Sequence, residues 1–198
     1  DILKLFYKIE GSEVEFIFYD KNNNFIKKKI INNLKLSNEL IIDKSFLDGI
    51  EDYGVFYVFH KPQKKIKQKI IISCREFLGF SYNGNLYSYV HGNILAKSKN
   101  FEDGKETIKF TRASNFQRYR YCLQNNFRDF SATELFFSNP TDQKINLKVN
   151  KKNYSLKTGC SLLIKFDKIE EVEVVSNCFW LIPLIFNYKE NFVDVYHG

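Results

Sequence analysis

Residues 131–166 read SATELFFSNPTDQKINLKVNKKNYSLKTGCSLLIKF, and their punctuation constrains the fold more than any other stretch. Residues 132–138 are apolar and aromatic until Asn139, Pro140, Thr141 and Asp142 interrupt them. Pro140 presets φ for the second position of a β-turn, and Asn139 and Asp142 can bond back to nearby backbone amides. Beyond the turn, Ile145, Leu147 and Val149 alternate with Lys144, Asn146, Lys148 and Asn150, the pattern of a half-buried strand with one wet face. Residues 150–153 supply a second polar turn, Gly159 suits a positive φ, and residues 161–166 are apolar again. Strands this short, with turns this close together, predict an antiparallel all-β chain, either sandwich or barrel. The 20 Phe and 12 Tyr among 198 residues agree, because aromatic side chains fit a pleated, half-buried surface.

The rest of the chain repeats the pattern. Val14, Phe16 and Phe18 mark a strand that turns at residues 21–24 and returns over 25–31. Further strands are expected at 39–42, 54–60, 70–72, 107–111, 116–123, 171–176, 179–188 and 192–197. Residues 77–82 and 85–91 flank Asn83-Gly84, a pair suited to a type I′ hairpin turn. Residues 45–51 could hold one helical turn, residues 97–105 read as a polar loop, and no helix of ordinary length is expected. The segment around Lys64, Lys65, Lys67 and Lys69 reads as a linker. It would divide a small sandwich unit, 1–65, from a larger one, 73–198. Phe16, Phe18, Phe56, Val58, Leu135, Phe137, Leu147, Leu163 and Trp180 are the expected core, and Lys28, Lys144, Lys148 and Glu173 the expected surface.

The run SNPTDQKINLKVN…YSLKTGCSLLIKF, residues 138–166, resembles bacterial immunoglobulin-like β-sandwich modules. In those an Asn-Pro turn precedes one strand and a Leu-x-x-Gly turn precedes the next. The resemblance implies an immunoglobulin-like β-sandwich; with the linker, the expected architecture is an antiparallel β-sandwich, immunoglobulin-like or jelly-roll-like, in two packed units. It implies no activity, since one fold hosts many functions.

Several chemistries lack their motifs. The chain contains no GxSxG, HExxH, P-loop or GxGxxG, so no cofactor is expected. Cys74, Cys122, Cys160 and Cys178 form no CxxC, which argues against a zinc knuckle or a thioredoxin-type site. Each lies in an apolar context, so four buried thiols in a reducing compartment such as the cytoplasm are expected; a disulfide pair would fit an exported protein. The chain opens on Asp1 and has no Met, as a mature form or an excised domain would. No apolar run approaches the roughly 18 residues of a membrane span. A net charge of +7 and a pI near 9.1 suit an acidic partner, although Lys spread along wet strand faces also serves solubility and edge protection.

Three groups of residues are candidates for function. Arg118, Tyr119, Arg120 and Tyr121 interleave cations with aromatics and, with Trp180, could stack on a sugar or another planar ligand. Parity places the two Arg on one strand face and the two Tyr on the other. Arg118 and Arg120 with Lys64, Lys65, Lys67 and Lys69 could also hold an acidic polymer. Nucleic acid is not expected, for want of a helix-turn-helix, RNP or zinc signature. Finally, His60, His91 and His197 each end an aromatic strand, and could gather on a barrel rim to bind a metal as cupin-like sites do. No carboxylate stands at ligand spacing, since Asp194 faces away from His197, and each His could equally cap its own strand. The leading expectation is a non-catalytic β-sandwich binding or structural module of a larger bacterial protein or surface assembly. Polysaccharide is its favoured ligand, and other domains of the parent protein are its partners. The alternative is a metal-dependent β-barrel enzyme.

Overall fold

The computed structural model describes residues 13–61, 76–92, 97–102, 105–110, 117–123, 130–167, 171–179 and 181–198. Among these residues there is no helix, and every paired strand is antiparallel. The strands are β1 (Glu13–Tyr19), β2 (Phe25–Ile31), β3 (Val55–Lys61), β4 (Phe77–Phe80), β5 (Ser88–His91), β6 (Ser98–Glu102), β7 (Lys105–Lys109) and β8 (Tyr119–Cys122). They continue with β9 (Ala132–Ser138), β10 (Ile145–Val149), β11 (Lys152–Leu156), β12 (Ser161–Phe166), β13 (Glu173–Ser176), β14 (Leu184–Lys189) and β15 (Phe192–His197).

The last eight strands make a sandwich of two four-stranded sheets, ordered β11-β10-β13-β8 and β12-β9-β14-β15. The alternation read in the sequence becomes its core. Leu135, Phe137, Ile164 and Ile185 project from one sheet against Ile145, Leu147, Val149, Leu156 and Val174 of the other. Burying each of these side chains contributes roughly 1.5–3 kcal/mol. The chain passes from sheet to sheet at β8–β9, β9–β10, β11–β12, β12–β13 and β13–β14, so its connections must seal the ends of the core.

The Asn-Pro turn does this with a fully buried Asn139. Its side-chain amide donates to the carbonyls of Gln143 (2.8 Å) and Leu156 (2.9 Å), and its Oδ1 accepts from the Thr141 amide (2.9 Å) and hydroxyl (2.6 Å). A buried polar group is tolerable only when satisfied in this way. Thr133 and Asn187 form a second buried polar pair at 2.7 Å.

The remaining strands build around this sandwich. The sheet β2-β1-β3 gathers Phe16, Phe18 and Phe56 on one face, with Phe46 edge-on to Phe18. Lys97 and Lys99 lie over the other face, above Tyr19, Tyr57 and Phe59. The sheet meets the sandwich at its turns: Ser161 donates its amide to Lys21 O (3.0 Å) and its hydroxyl to Tyr53 O (2.6 Å). Gly159, at φ +74°, lies against the Asn23 side chain, where a Cβ would come within 2.3 Å. The hairpin β4–β5 caps the outer face of the sandwich. Val90 joins Val193 and Val195 in a second apolar cluster with Leu78, Phe80 and Phe186 packed against it.

Several expectations need correction. Leu163 is half-buried on the outer face, and Leu162 and Ile164 turn inward instead; a run of consecutive apolar residues does not reveal its own parity. Phe16, Phe56 and Val58 are half-buried, because a three-stranded sheet cannot enclose both faces. Lys148 and Glu173 are also half-buried. Residues 39–42 form no strand, whereas residues 43–50 close the single expected helical turn, with Leu47 N donating to Asp43 O at 3.1 Å and Gly49 N to Lys44 O at 2.8 Å. The expected polar loop at 97–105 contains β6 and enters β7, and Lys97 and Lys99 face the first sheet rather than solvent. Cys122 is exposed, Cys160 half-buried and Cys178 buried, and all three are free thiols. Trp180, Cys74, the strand expected at 70–72 and the linker with Lys64, Lys65, Lys67 and Lys69 lie outside the described residues.

Candidate functional site: an aromatic face on the β4–β5 hairpin

The hairpin forms because Asn83 and Gly84 both adopt positive φ, 53° and 73°, as a type I′ turn requires, and Asn85 N donates to Tyr82 O at 3.2 Å. Period-2 alternation then sorts its side chains. Leu78, Phe80 and Val90 turn toward the sandwich. Phe77, Gly79, Tyr89 and His91 turn away, with Phe77 paired to His91 and Gly79 to Tyr89. Phe77 is 75% exposed, Tyr89 64% and Tyr87 60%. The two tyrosine rings stand 6.0 Å apart at 33°. Gly79 gives them room to lie along the hairpin: a Cβ there would meet Tyr89 Cε1 at 2.8 Å and Tyr87 Cδ1 at 3.3 Å.

The hairpin is firmly seated, so these rings stand on a fixed base. Phe80 meets Phe186 edge-on at 5.0 Å, and Tyr82 meets Tyr188 at 5.2 Å. Burial raises the Tyr188 pKa, and its hydroxyl donates to Glu134 at 3.0 Å. β15 ends its sheet, and β5 covers that edge through side chains. Val195 N donates to Ser88 Oγ at 2.9 Å, Asn85 Nδ2 donates to Asn191 O at 2.8 Å, and His197 Nε2 lies 2.9 Å from His91 O. Covering an open edge removes a template for unwanted pairing.

The histidines expected to share a metal divide between two places. His91 and His197 stack with ring centroids 4.4 Å apart at the end of the aromatic face. His91 Nδ1 lies 2.9 Å from Gly92 O, a local contact of the strand-capping kind. His60 sits on β3 of the first sheet opposite Val14, and burial lowers its pKa. Among the described residues no three His, Cys, Asp or Glu side chains gather to hold a metal ion.

The other candidate strand, β8, divides by face. Arg118 and Arg120 are exposed, and Arg120 pairs with Glu173 across to β13. Tyr121 packs on the core and donates its hydroxyl to Leu181 O; burial raises its pKa. Tyr119 is half-buried beside Phe179, with centroids 5.1 Å apart. The two tyrosines therefore line a packing face and do not stand beside the arginines.

Sequence reasoning did not single out Phe77, Tyr87 and Tyr89 as a ligand face, although it placed Tyr87, Tyr89 and His91 on one side of their strand. The missing signal was Gly79 opposite Tyr89, which marks a face where rings lie close to backbone. No protein-family model, curated protein or solved structure matches this chain.

Proposed function

We propose that the protein is a non-catalytic binding module of a larger assembly, and that the outer face of the β4–β5 hairpin takes carbohydrate. The observation that carries this reading is the exposure of Tyr87, Tyr89 and Phe77 side by side on a rigidly seated hairpin. Exposed apolar surface of this kind is characteristic of binding faces. A pyranose ring offers an apolar C–H face to an aromatic ring and hydroxyls around its rim. Tyr answers both with its ring and its phenolic group. His91, at the end of the face, adds a ring nitrogen able to donate or accept. The 33° angle between the tyrosine rings favours a twisting, soluble chain over a flat crystalline surface.

A glycan array with the wild-type chain, followed by calorimetry on any positive polysaccharide, tests the reading. Tyr87→Ala with Tyr89→Ala should abolish binding while leaving the circular dichroism spectrum unchanged. Retention of binding by that double variant, or an array with no positive glycan, refutes the carbohydrate assignment.

A further inference from the structure

On the first sheet a lysine sits inside an aromatic box. Tyr19 on β1 and Tyr57 on β3 place their rings 5.8 Å apart at 74°, two walls meeting at a corner. Phe110, which follows β7, forms a third wall. Lys97 Nζ lies 4.4 Å from the Tyr19 centroid, 4.3 Å from Tyr57 and 4.4 Å from Phe110. Lys97 is 6% exposed. The acid on the same sheet face, Glu15, is engaged by Lys28 and Lys99.

Two effects on Lys97 oppose each other. The negative ring faces favour its charge, the more so where water is excluded. Burial disfavours the charge and pushes the Lys97 pKa down to about 8. A primary amine is therefore a compromised occupant of this box. A quaternary ammonium keeps its charge at every pH, has no N–H to leave unsatisfied, and offers methyl groups to the rings.

We propose that Tyr19, Tyr57 and Phe110 form a recognition cage for a quaternary ammonium group, and that Lys97 fills the cage when no such ligand is present. This site lies on the first sheet and is independent of the carbohydrate reading. A purely structural latch, in which Lys97 only pins β6 to the sheet, would make the same contacts. It differs in one respect: the emptied box would then have no selective affinity for an outside cation.

The test titrates tetramethylammonium into the wild-type chain, Lys97→Ala and Lys97→Ala with Phe110→Leu, following the tyrosine ring resonances. Methylammonium serves as the control, and choline and trimethyllysine as separate arms distinguish a headgroup from a modified-peptide source. Lys97→Ala should bind tetramethylammonium at least tenfold more tightly than the wild type does and than it binds methylammonium, and the added Phe110→Leu should remove that gain. Equal affinity for the two cations in folded Lys97→Ala, or an undiminished gain in the double variant, overturns the proposal. Should Lys97→Ala not fold, the wild type decides. Tetramethylammonium should speed acetylation of Lys97, read by peptide mapping, and an unchanged rate overturns the cage.

Discussion

Between the sheets of the sandwich the fully buried side chains include Phe137, Leu135, Ile145, Ile185 and Val174, whereas the covered face of the first sheet buries Glu15 and Lys97 beside Ile17 and Tyr57. Both regions are antiparallel and rich in aromatic residues, yet they cohere by different means. The sandwich relies on apolar burial, which is non-directional and insensitive to modest changes of pH or salt. The covered face of the first sheet relies on one carboxylate held by two lysines and one ammonium held by three rings. Such contacts depend on protonation state and on exact partners. The difference teaches that a sheet too small to enclose an apolar core can be completed by charged side chains reaching over it from a neighbouring hairpin.

The most forceful way to break the comparison is at the centre of the sandwich. Phe137→Ala removes a fully buried ring from between the sheets and should cost about 3–5 kcal/mol, a large share of a typical stability of about 5–15 kcal/mol. Urea denaturation followed by fluorescence would measure it. A loss below about 1 kcal/mol would mean that the two sheets are not held by this core.

Glu15 tests the other half. Burial pushes its pKa up, and its hydrogen bonds and charge attraction with Lys28 and Lys99 more than reverse that, leaving it below the usual carboxylate value of 4.5. The folded state therefore binds the proton less readily than the unfolded chain does. Glu15 contributes stability that is present above pH 4.5 and lost as pH falls through its lowered folded value. Glu15→Gln should cost about 2–3 kcal/mol near neutral pH, because it leaves the largely buried Lys99 facing a neutral amide, whereas the exposed Lys28 is screened by water. The variant should also show a flatter decline of stability in acid. Parallel acid titrations of the two proteins check this, and identical slopes would show that the carboxylate is not held as described.

Asn139 sharpens the contrast from within the sandwich, as a fully buried polar side chain at the end of its apolar core. Asn139→Ala removes the side-chain partner of the Leu156 carbonyl and the Thr141 amide, while Gln143 O keeps the Thr141 hydroxyl, and should cost about 2 kcal/mol, with no dependence on pH between 4 and 8. A pH-dependent loss would mean that the turn is coupled to the charged face of the first sheet.

Legibility in the sequence follows the same division. Strands with strict alternation, such as β10 with Ile145, Leu147 and Val149, showed both their type and their inward face. The Asn83-Gly84 hairpin and the Asn139-Pro140 turn were also readable, because each turn demands a particular backbone geometry. The parity of β12 was not readable, since Leu162, Leu163 and Ile164 are consecutive and apolar, and only the pairing of Ile164 with Leu135 decides it. The strand β6 was hidden because Lys97 and Lys99 made the segment look like a solvated loop; nothing local shows that Lys97 would find Tyr19 and Tyr57 on another sheet. Within the candidate site, the shared face of Tyr87, Tyr89 and His91 was visible. Its neighbours Phe77 and Gly79 became part of it only through cross-strand register.

The smallest expected change in stability comes from Gly79, and it separates the hairpin's base from its exposed face. Gly79→Ala would place a Cβ 2.8 Å from Tyr89 Cε1 and 3.3 Å from Tyr87 Cδ1. Both are side-chain ring atoms on exposed residues, so the rings can swing outward without moving backbone. The apolar contacts beneath, Phe80 with Phe186 and Val90 with Val195, lie on the opposite face and are untouched. The cost should stay within about 0.5 kcal/mol, as for surface substitutions generally. On the proposed carbohydrate reading, glycan affinity should nevertheless fall, because the ring arrangement of Tyr87 and Tyr89 is displaced. Comparing thermal melts with calorimetry on this one variant distinguishes the two roles. Lower affinity at unchanged melting temperature places recognition in the ring geometry, whereas a melting temperature that falls with affinity makes the tyrosines part of the hairpin's packing instead.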